Sequence, residues 1–222
     1  MISGIAVQNS PAAPLVPYTA ADNGTVTCTA AGNCTVLDLP GGKLLQNSSS
    51  VAEQGGDSII AWGRWANGRY NNTSPGYRNT DLSDQQGLHY VYGLPTPTLP
   101  STGSFGYSVL GATMATSLDG TLGLGTFSGT LAGGNVLAVN FASGKMDLGF
   151  QVAFAGPTYT VQGSNLSVTP QFSFSGAQLT CGNCTGASVN GFFAGPAAER
   201  AGLGYQINTG SNTVSGVAAL TR

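Results

Sequence analysis

From Ser104 to the C-terminus, large apolar residues recur at every second position, and Gly, Asn or Asp punctuates the runs. A period of two marks a strand with one buried face, and a chain that repeats it this often is committed to sheet. The clearest run is KMDLGFQVAF. Met146, Leu148, Phe150, Val152 and Phe154 fall on one face, and Asp147, Gly149, Gln151 and Ala153 fall on the other. The same reading holds for Phe105, Tyr107 and Val109, for Leu137, Val139 and Phe141, and for Phe172 with Phe174. It holds again for Val189, Gly191 and Phe193, for Tyr205 with Ile207, and for Val214, Gly216, Ala218 and Leu220. The runs amount to about eight strands at a spacing of roughly 8–12 residues, as in antiparallel sandwiches and barrels. Glycines inside TLGLGTFSG and GLGYQI permit the bends that close a sheet, and closure removes exposed edges. The expected fold is all-β: an eight-stranded antiparallel up-and-down barrel with an N-terminal extended or small β region.

The first hundred residues differ. Residues 1–20 carry three prolines and little alternation, which predicts an extended arm or ordered coil. Short strands are expected at Thr25–Thr27 and Thr35–Leu39, and longer ones in SIIAWGRWANGRY and in GLHYVYGLPT, where Pro95 and Pro97 stop the second. In the first of these, Ile60, Trp62 and Arg64 share one face, with Ile59, Ala61 and Trp65 on the other. The polar stretch Asn71–Gln86 reads as a mobile loop, and Pro196–Ala201 as one or two turns of helix closed by Gly202. The expected division is an arm and small disulfide-loop region over 1–57 and a barrel over 58–222.

Composition narrows function by exclusion. Seven Lys and Arg against nine Asp and Glu leave a net charge of −2, and only 7% of residues are charged. Such a chain has no electrostatic footprint for phosphates, so no nucleic-acid partner is expected. No apolar stretch reaches the ~18 residues of a membrane-spanning helix. Catalysis is not expected either. His89 is the one imidazole, no G-x-S-x-G elbow occurs, and the acids sit singly in turn contexts such as Leu118-Asp119-Gly120.

The four cysteines form two local pairs, Cys28 with Cys34 and Cys181 with Cys184, each in a turn-like Gly/Asn/Thr setting. Short separation favours local disulfides and hence an oxidising compartment, with any leader removed, since residues 1–19 show no signal-peptide pattern. Zinc fits poorly, because the first pair has five intervening residues where about two to four are usual. Redox chemistry fits poorly too, because strand-like sequence rather than helix follows Cys184. Cross-pairing stays open at this level.

His89, Trp62, Arg64 and Trp65 are the candidate ligand-binding residues. His89 would hold haem iron through one ring nitrogen in a functional role, or hydrogen-bond a neighbour in a structural one. No other cofactor and no metal site is expected. Aromatic residues and Arg are enriched at binding hot spots. Alternation would bury one Trp and half cover the other.

The stretch SVNGFFAGPAAERAGLGYQI, followed by TVSGVAALTR, resembles the closing strands of the transferrin-binding-protein-B-like β-barrel family. The pattern is carried by Gly191, Phe192, Phe193, Gly195, Pro196, Ala198, Glu199, Gly202 and Gly204. AWGRW, LHYVYGLPT and the run Thr102–Thr113 are similar to the barrel attached to some FecR-domain envelope proteins. The resemblance implies an eight-stranded barrel on the bacterial surface, extracellular or periplasmic, that binds a host iron protein, haem or another protein or small ligand without catalysis. The rival expectation is a structural subunit that self-associates into a fibre or surface layer by donating a strand from residues 1–20.

Overall fold

The computed structural model describes the backbone of residues 3–8, 16–19, 26–28, 34–39, 42–45, 50–72 and 80–222, and the side chains of 52–67 and 82–222. The first ten strands are β1 (Ser3–Gln8), β2 (Val16–Thr19), β3 (Val26–Cys28), β4 (Cys34–Leu39), β5 (Gly42–Leu45), β6 (Ser50–Gly56), β7 (Ile60–Ala66), β8 (Gly68–Asn72), β9 (Thr80–Leu82) and β10 (Leu88–Gly93). They form two sheets of order β2-β1-β10-β7-β6 and β3-β4-β5-β8-β9. After them come β11 (Ser104–Ala112), β12 (Ala115–Ser117), β13 (Leu124–Gly129), β14 (Asn135–Asn140), β15 (Lys145–Ala153), β16 (Thr158–Ser167), β17 (Gln171–Ser175), β18 (Thr180–Gly182), β19 (Gly186–Ala194), β20 (Arg200–Asn208) and β21 (Thr213–Thr221).

These eleven strands are eight antiparallel runs, three of them interrupted. β11 and β12 form one run, and both pair with β21. β13 and β14 form the second, and both pair with β15. β17 and β18 form the fifth, one half pairing with β19 and the other with β16. The remaining pairs are β15 with β16, β19 with β20 and β20 with β21, and the pairing of β11 with β21 closes the circuit. The expected barrel is thus present, assembled from residues 104–222.

Its interior follows the alternation. Tyr107, Leu137, Val139, Met146, Leu148, Phe150, Val152, Val161, Val189, Phe193, Leu203, Tyr205, Ile207, Val214 and Leu220 make one apolar cluster. Each such side chain removed from water contributes ~1.5–3 kcal/mol. A second cluster lies outside the barrel, where β7 and β10 pack on β20 and β21. It joins Ile60 and Val91 of the sheet to Phe192, Ala194, Val217 and Ala219 of the wall. The outward residues of β21 are small, which lets the sheet come close.

Several expectations are corrected. Within the expected extended arm or ordered coil, Ser3–Gln8 is a strand: β1 pairs along its whole length with β10 and also with β2. Pro196–Ala201 is not helical. Gly195 and Ala198 take φ of 87° and 61°, the Ala198 N–H closes a turn on the Gly195 carbonyl at 3.2 Å, and Arg200 already begins β20. Burial of Ala201, Leu203 and Tyr205 in the barrel outweighs the weak helix signal. Part of the expected Asn71–Gln86 loop is strand β9, and residues 73–79 lie outside the described residues. The 57/58 position falls in the turn between β6 and β7, which pair with each other.

Cys181 and Cys184 form a disulfide, Cα to Cα 5.5 Å. Cys28 and Cys34 are register partners across the β3–β4 hairpin, and their side chains lie outside the described residues.

Candidate functional site

The four candidate residues sit in neighbouring strands of the docked sheet. Register places His89 opposite Arg64 and Val91 opposite Trp62, so His89, Val91, Arg64, Trp62 and Ile60 face the barrel. Trp65 and Tyr90 face away, their ring centroids 5.5 Å apart, and both are buried. The structure therefore brings His89, Trp62 and Arg64 to one side and sends Trp65 to the other.

The barrel meets this face where its first run breaks. Between β11 and β12, the Thr113 N–H donates to the Val217 carbonyl at 3.0 Å, and the Thr113 hydroxyl accepts the Val217 N–H at 3.2 Å. Threonine thus stands in for a ladder carbonyl, and the next N–H, that of Met114, turns outward. It donates to Glu53 Oε2 at 2.6 Å. Glu53 Oε1 accepts from Arg64 Nε at 2.8 Å and lies 2.7 Å from Arg64 Nη2. Arg64 Nη1 donates to the carbonyls of Asp84 and Gln86 at 2.9 and 3.0 Å. A guanidinium only 4% exposed is tolerable because four directed contacts replace its water.

His89 lies beside this pair, fully buried. Its Nδ1 is 2.8 Å from the Thr113 hydroxyl and its Nε2 is 2.8 Å from the Thr116 hydroxyl. A neutral imidazole serves both, donating at one nitrogen and accepting at the other. Burial, reinforced by the Arg64 charge, pushes its pKa down to about 3. Both nitrogens are engaged by the protein and neither reaches solvent. Among the described residues, no group of three or more His, Cys, Asp and Glu is placed to hold a metal ion.

Trp62 is half-buried between two glycines, Gly55 of β6 and Gly111 of β11. A Cβ at Gly111 would overlap the indole. Gly111→Val therefore forces the sheet off the wall. It is expected to cost about 2 kcal/mol and to shift tryptophan fluorescence to the red. A variant with unchanged urea midpoint and emission would show that Trp62 does not seat there.

A second polar link lies at the sheet's end. Arg200 Nε donates to Asp57 Oδ2 at 2.8 Å, while Asp57 Oδ1 accepts the N–H groups of Ile59 and Ile60 at 2.8 and 2.9 Å. Burial alone would raise the Asp57 pKa. The Ile60, Ile59 and Arg200 hydrogen bonds outweigh it and hold the carboxyl below its usual range.

Sequence reasoning found the sheet side of this joint and missed Glu53, Thr113, Thr116 and the Met114 N–H. Thr113 and Thr116 lie 24 and 27 residues from His89, and a register shift between Val51 and Glu53 hides which residue of β6 meets Arg64. The readable clue was the break in alternation at Thr113-Met114.

No protein-family model matches the chain, and no curated protein matches its sequence. Solved structures do. The fold is similar to a double mutant of transferrin-binding protein B, a vaccine antigen from Haemophilus parasuis, at 14% identity and a TM-score of 0.50, covering 99% of this chain and 44% of that one. Transferrin-binding protein B from serogroup B Neisseria meningitidis matches at 11% identity and a TM-score of 0.46, covering 100% and 43%. A surface lipoprotein matches at 14% identity and a TM-score of 0.44, covering 98% of each chain. The chain thus spans less than half the length of the two transferrin-binding structures. Eight antiparallel runs in one barrel-like circuit, a sheet packed on its outer wall and a match across nearly the whole chain give this protein a transferrin-binding-protein-B-like fold.

Proposed function

We propose that this chain is a non-enzymatic binding module of the bacterial cell surface that engages a host protein. One observation carries the reading: a sheet fixed to a barrel wall by a buried ion pair, a buried imidazole and a second apolar core, within a fold similar to a protein named for binding transferrin. Rigid joints of this kind hold loops at fixed separations, which reduces the entropy cost of binding a large partner. The functional unit is the sheet together with the barrel. His89, Arg64 and Trp62 act as positioning residues at the joint, and the engaged imidazole favours a protein partner over haem. The Cys181–Cys184 disulfide fits an oxidising location outside the cytoplasm.

The test is immobilised full-length chain exposed to host serum fractions, with purified apo and iron-loaded transferrin as the first defined probes. Saturable binding to a serum protein is the expected result. Absence of saturable binding to every fraction, or filaments in negative stain of the native protein, overturns the reading.

A further inference from the structure

The barrel circuit is hydrogen-bonded all round except along one seam. Among the described residues, β16 pairs with β18 only over Thr160–Gln162, and β17 pairs with β19 alone. The Cα atoms of β16 and β17 stay more than 8 Å apart over nearly all their length, against about 4.8 Å for paired strands. The two sides of the seam differ. On β16 the register shifts opposite Met146 and Leu148, Asn165 takes φ 56°, its N–H donates to Asp147 Oδ1 at 2.9 Å, and its carbonyl accepts from Lys145 Nζ at 3.4 Å. A bulge flanked by charge is how proteins blunt an edge.

β17 has no such guard. The Phe193 N–H donates to the Pro170 carbonyl at 3.0 Å, which sets the phase of the ladder with β19. Residues 170, 172 and 174 turn their backbone groups to β19, and Gln171, Ser173 and Ser175 turn theirs to the seam. The Thr169 hydroxyl occupies the Gln171 carbonyl. The N–H and C=O of Ser173 have no partner among the described residues. Gln171, Ser173 and Ser175 are exposed, Phe172 and Phe174 are buried, and the strand carries no charge and no proline.

At the head of β17 a second segment continues its line along β19. The Gly195 N–H donates to the Leu94 carbonyl at 2.8 Å, the Thr96 N–H donates to the Phe193 carbonyl at 3.1 Å, and Pro95 bridges Ala194. Where the two segments meet, a pocket of about 330 Å³ opens, lined by Pro95, Thr96, Pro170, Gln171 and Phe193. The Thr96 hydroxyl is bound to the Gly195 carbonyl at 2.8 Å, and the lining is mixed, with somewhat more apolar than polar surface. That volume lies at the lower end of ligand sites, ~300–1,000 Å³, and suits one side chain.

We infer that the outer edge of β17 is a strand-addition site, at which an uncharged extended segment of the protein partner pairs with Ser173 and seats one large apolar side chain in the adjoining pocket. The absence of charge along the edge and in the pocket selects a neutral segment. The open N–H and C=O of one residue select an extended one. The inference rests on the proposed binding function and specifies its contact.

The probe is an acetylated, amidated heptapeptide of alternating threonine and valine with a central leucine, titrated into the isotope-labelled full chain. Saturable amide shifts are expected over Gln171–Ser175, with slowed hydrogen exchange at Ser173. Ser173→Pro removes the outward N–H with no loss of a ladder bond to β19, and proline is tolerated on an edge. It is expected to keep its thermal midpoint and lose about tenfold in affinity. Gln171→Trp, which fills the pocket mouth, gives the same loss should the proline variant unfold. Shifts mapping elsewhere, unchanged exchange at Ser173, or self-association of the chain in sedimentation runs overturn the inference. Serum-protein binding that persists after such a result leaves the proposed function standing, and peptide binding without serum-protein binding defeats that function alone.

Discussion

Acidification from pH 7 to pH 3 is expected to remove on the order of 4 kcal/mol of stability through His89 alone. In the unfolded chain the imidazole titrates at its ordinary value of 6.5, and in the folded chain burial and the Arg64 charge hold it at about 3. Between those values the unfolded state binds the extra proton, so stability rises with pH across the window and levels off above it. A separation of about 3.5 units at 1.36 kcal/mol each, less the partial protonation of the folded state at pH 3, gives the figure. Urea midpoints at pH 7, 5.5 and 4 will show the decline before most carboxylates protonate. His89→Gln can keep the contact at Thr116 and has nothing to titrate, so its profile should be nearly flat over the same range. Parallel profiles for the two proteins would show that the imidazole is not held neutral in the joint.

Glu53→Leu is the second large effect, with an expected loss of about 3 kcal/mol. The Arg64 guanidinium would keep the Asp84 and Gln86 carbonyls but lose its counter-charge, and the Met114 N–H would lose its acceptor. Removing one partner of a buried pair costs ~3–5 kcal/mol, and the lower figure applies because the Glu53 side chain is 22% exposed. For a chain of this length the thermal midpoint should fall by roughly 10 °C. Replacing both residues, Glu53→Leu with Arg64→Met, should recover much of the loss, because no unpaired charge remains. A double variant no better than the single one would assign the stability to packing rather than to charge.

The barrel was legible because its strands meet solvent on one side and core on the other. β15 is the plainest case: Met146, Leu148, Phe150 and Val152 are buried, and Lys145 and Asp147 are exposed. β16 was not named from the sequence, since Gly163 and the bulge at Asn165 interrupt its alternation. Adjacent Phe192 and Phe193 blur the period for a different reason: one fills the barrel and the other the docked interface. At the joint, parity alone put Trp62 and Arg64 on one face. Their contacts on β6 and in the β11–β12 break come from pairings between distant segments, which no local pattern encodes. The pairing of the N-terminal segment with β10 was not legible, because three prolines say where a chain is stiff, not which strand lies beside it.

The wall built from β19, β20 and β21 is occupied on both of its faces, by the plug within and by the sheet without. Replacement there must satisfy two neighbours at once, whereas the outward residues Gln162 and Ser164 on the opposite side are exposed to water. Mutational tolerance is therefore lopsided. A library meant to graft new specificity onto this scaffold can randomise the water-facing flank freely and should leave the sheet-facing flank untouched.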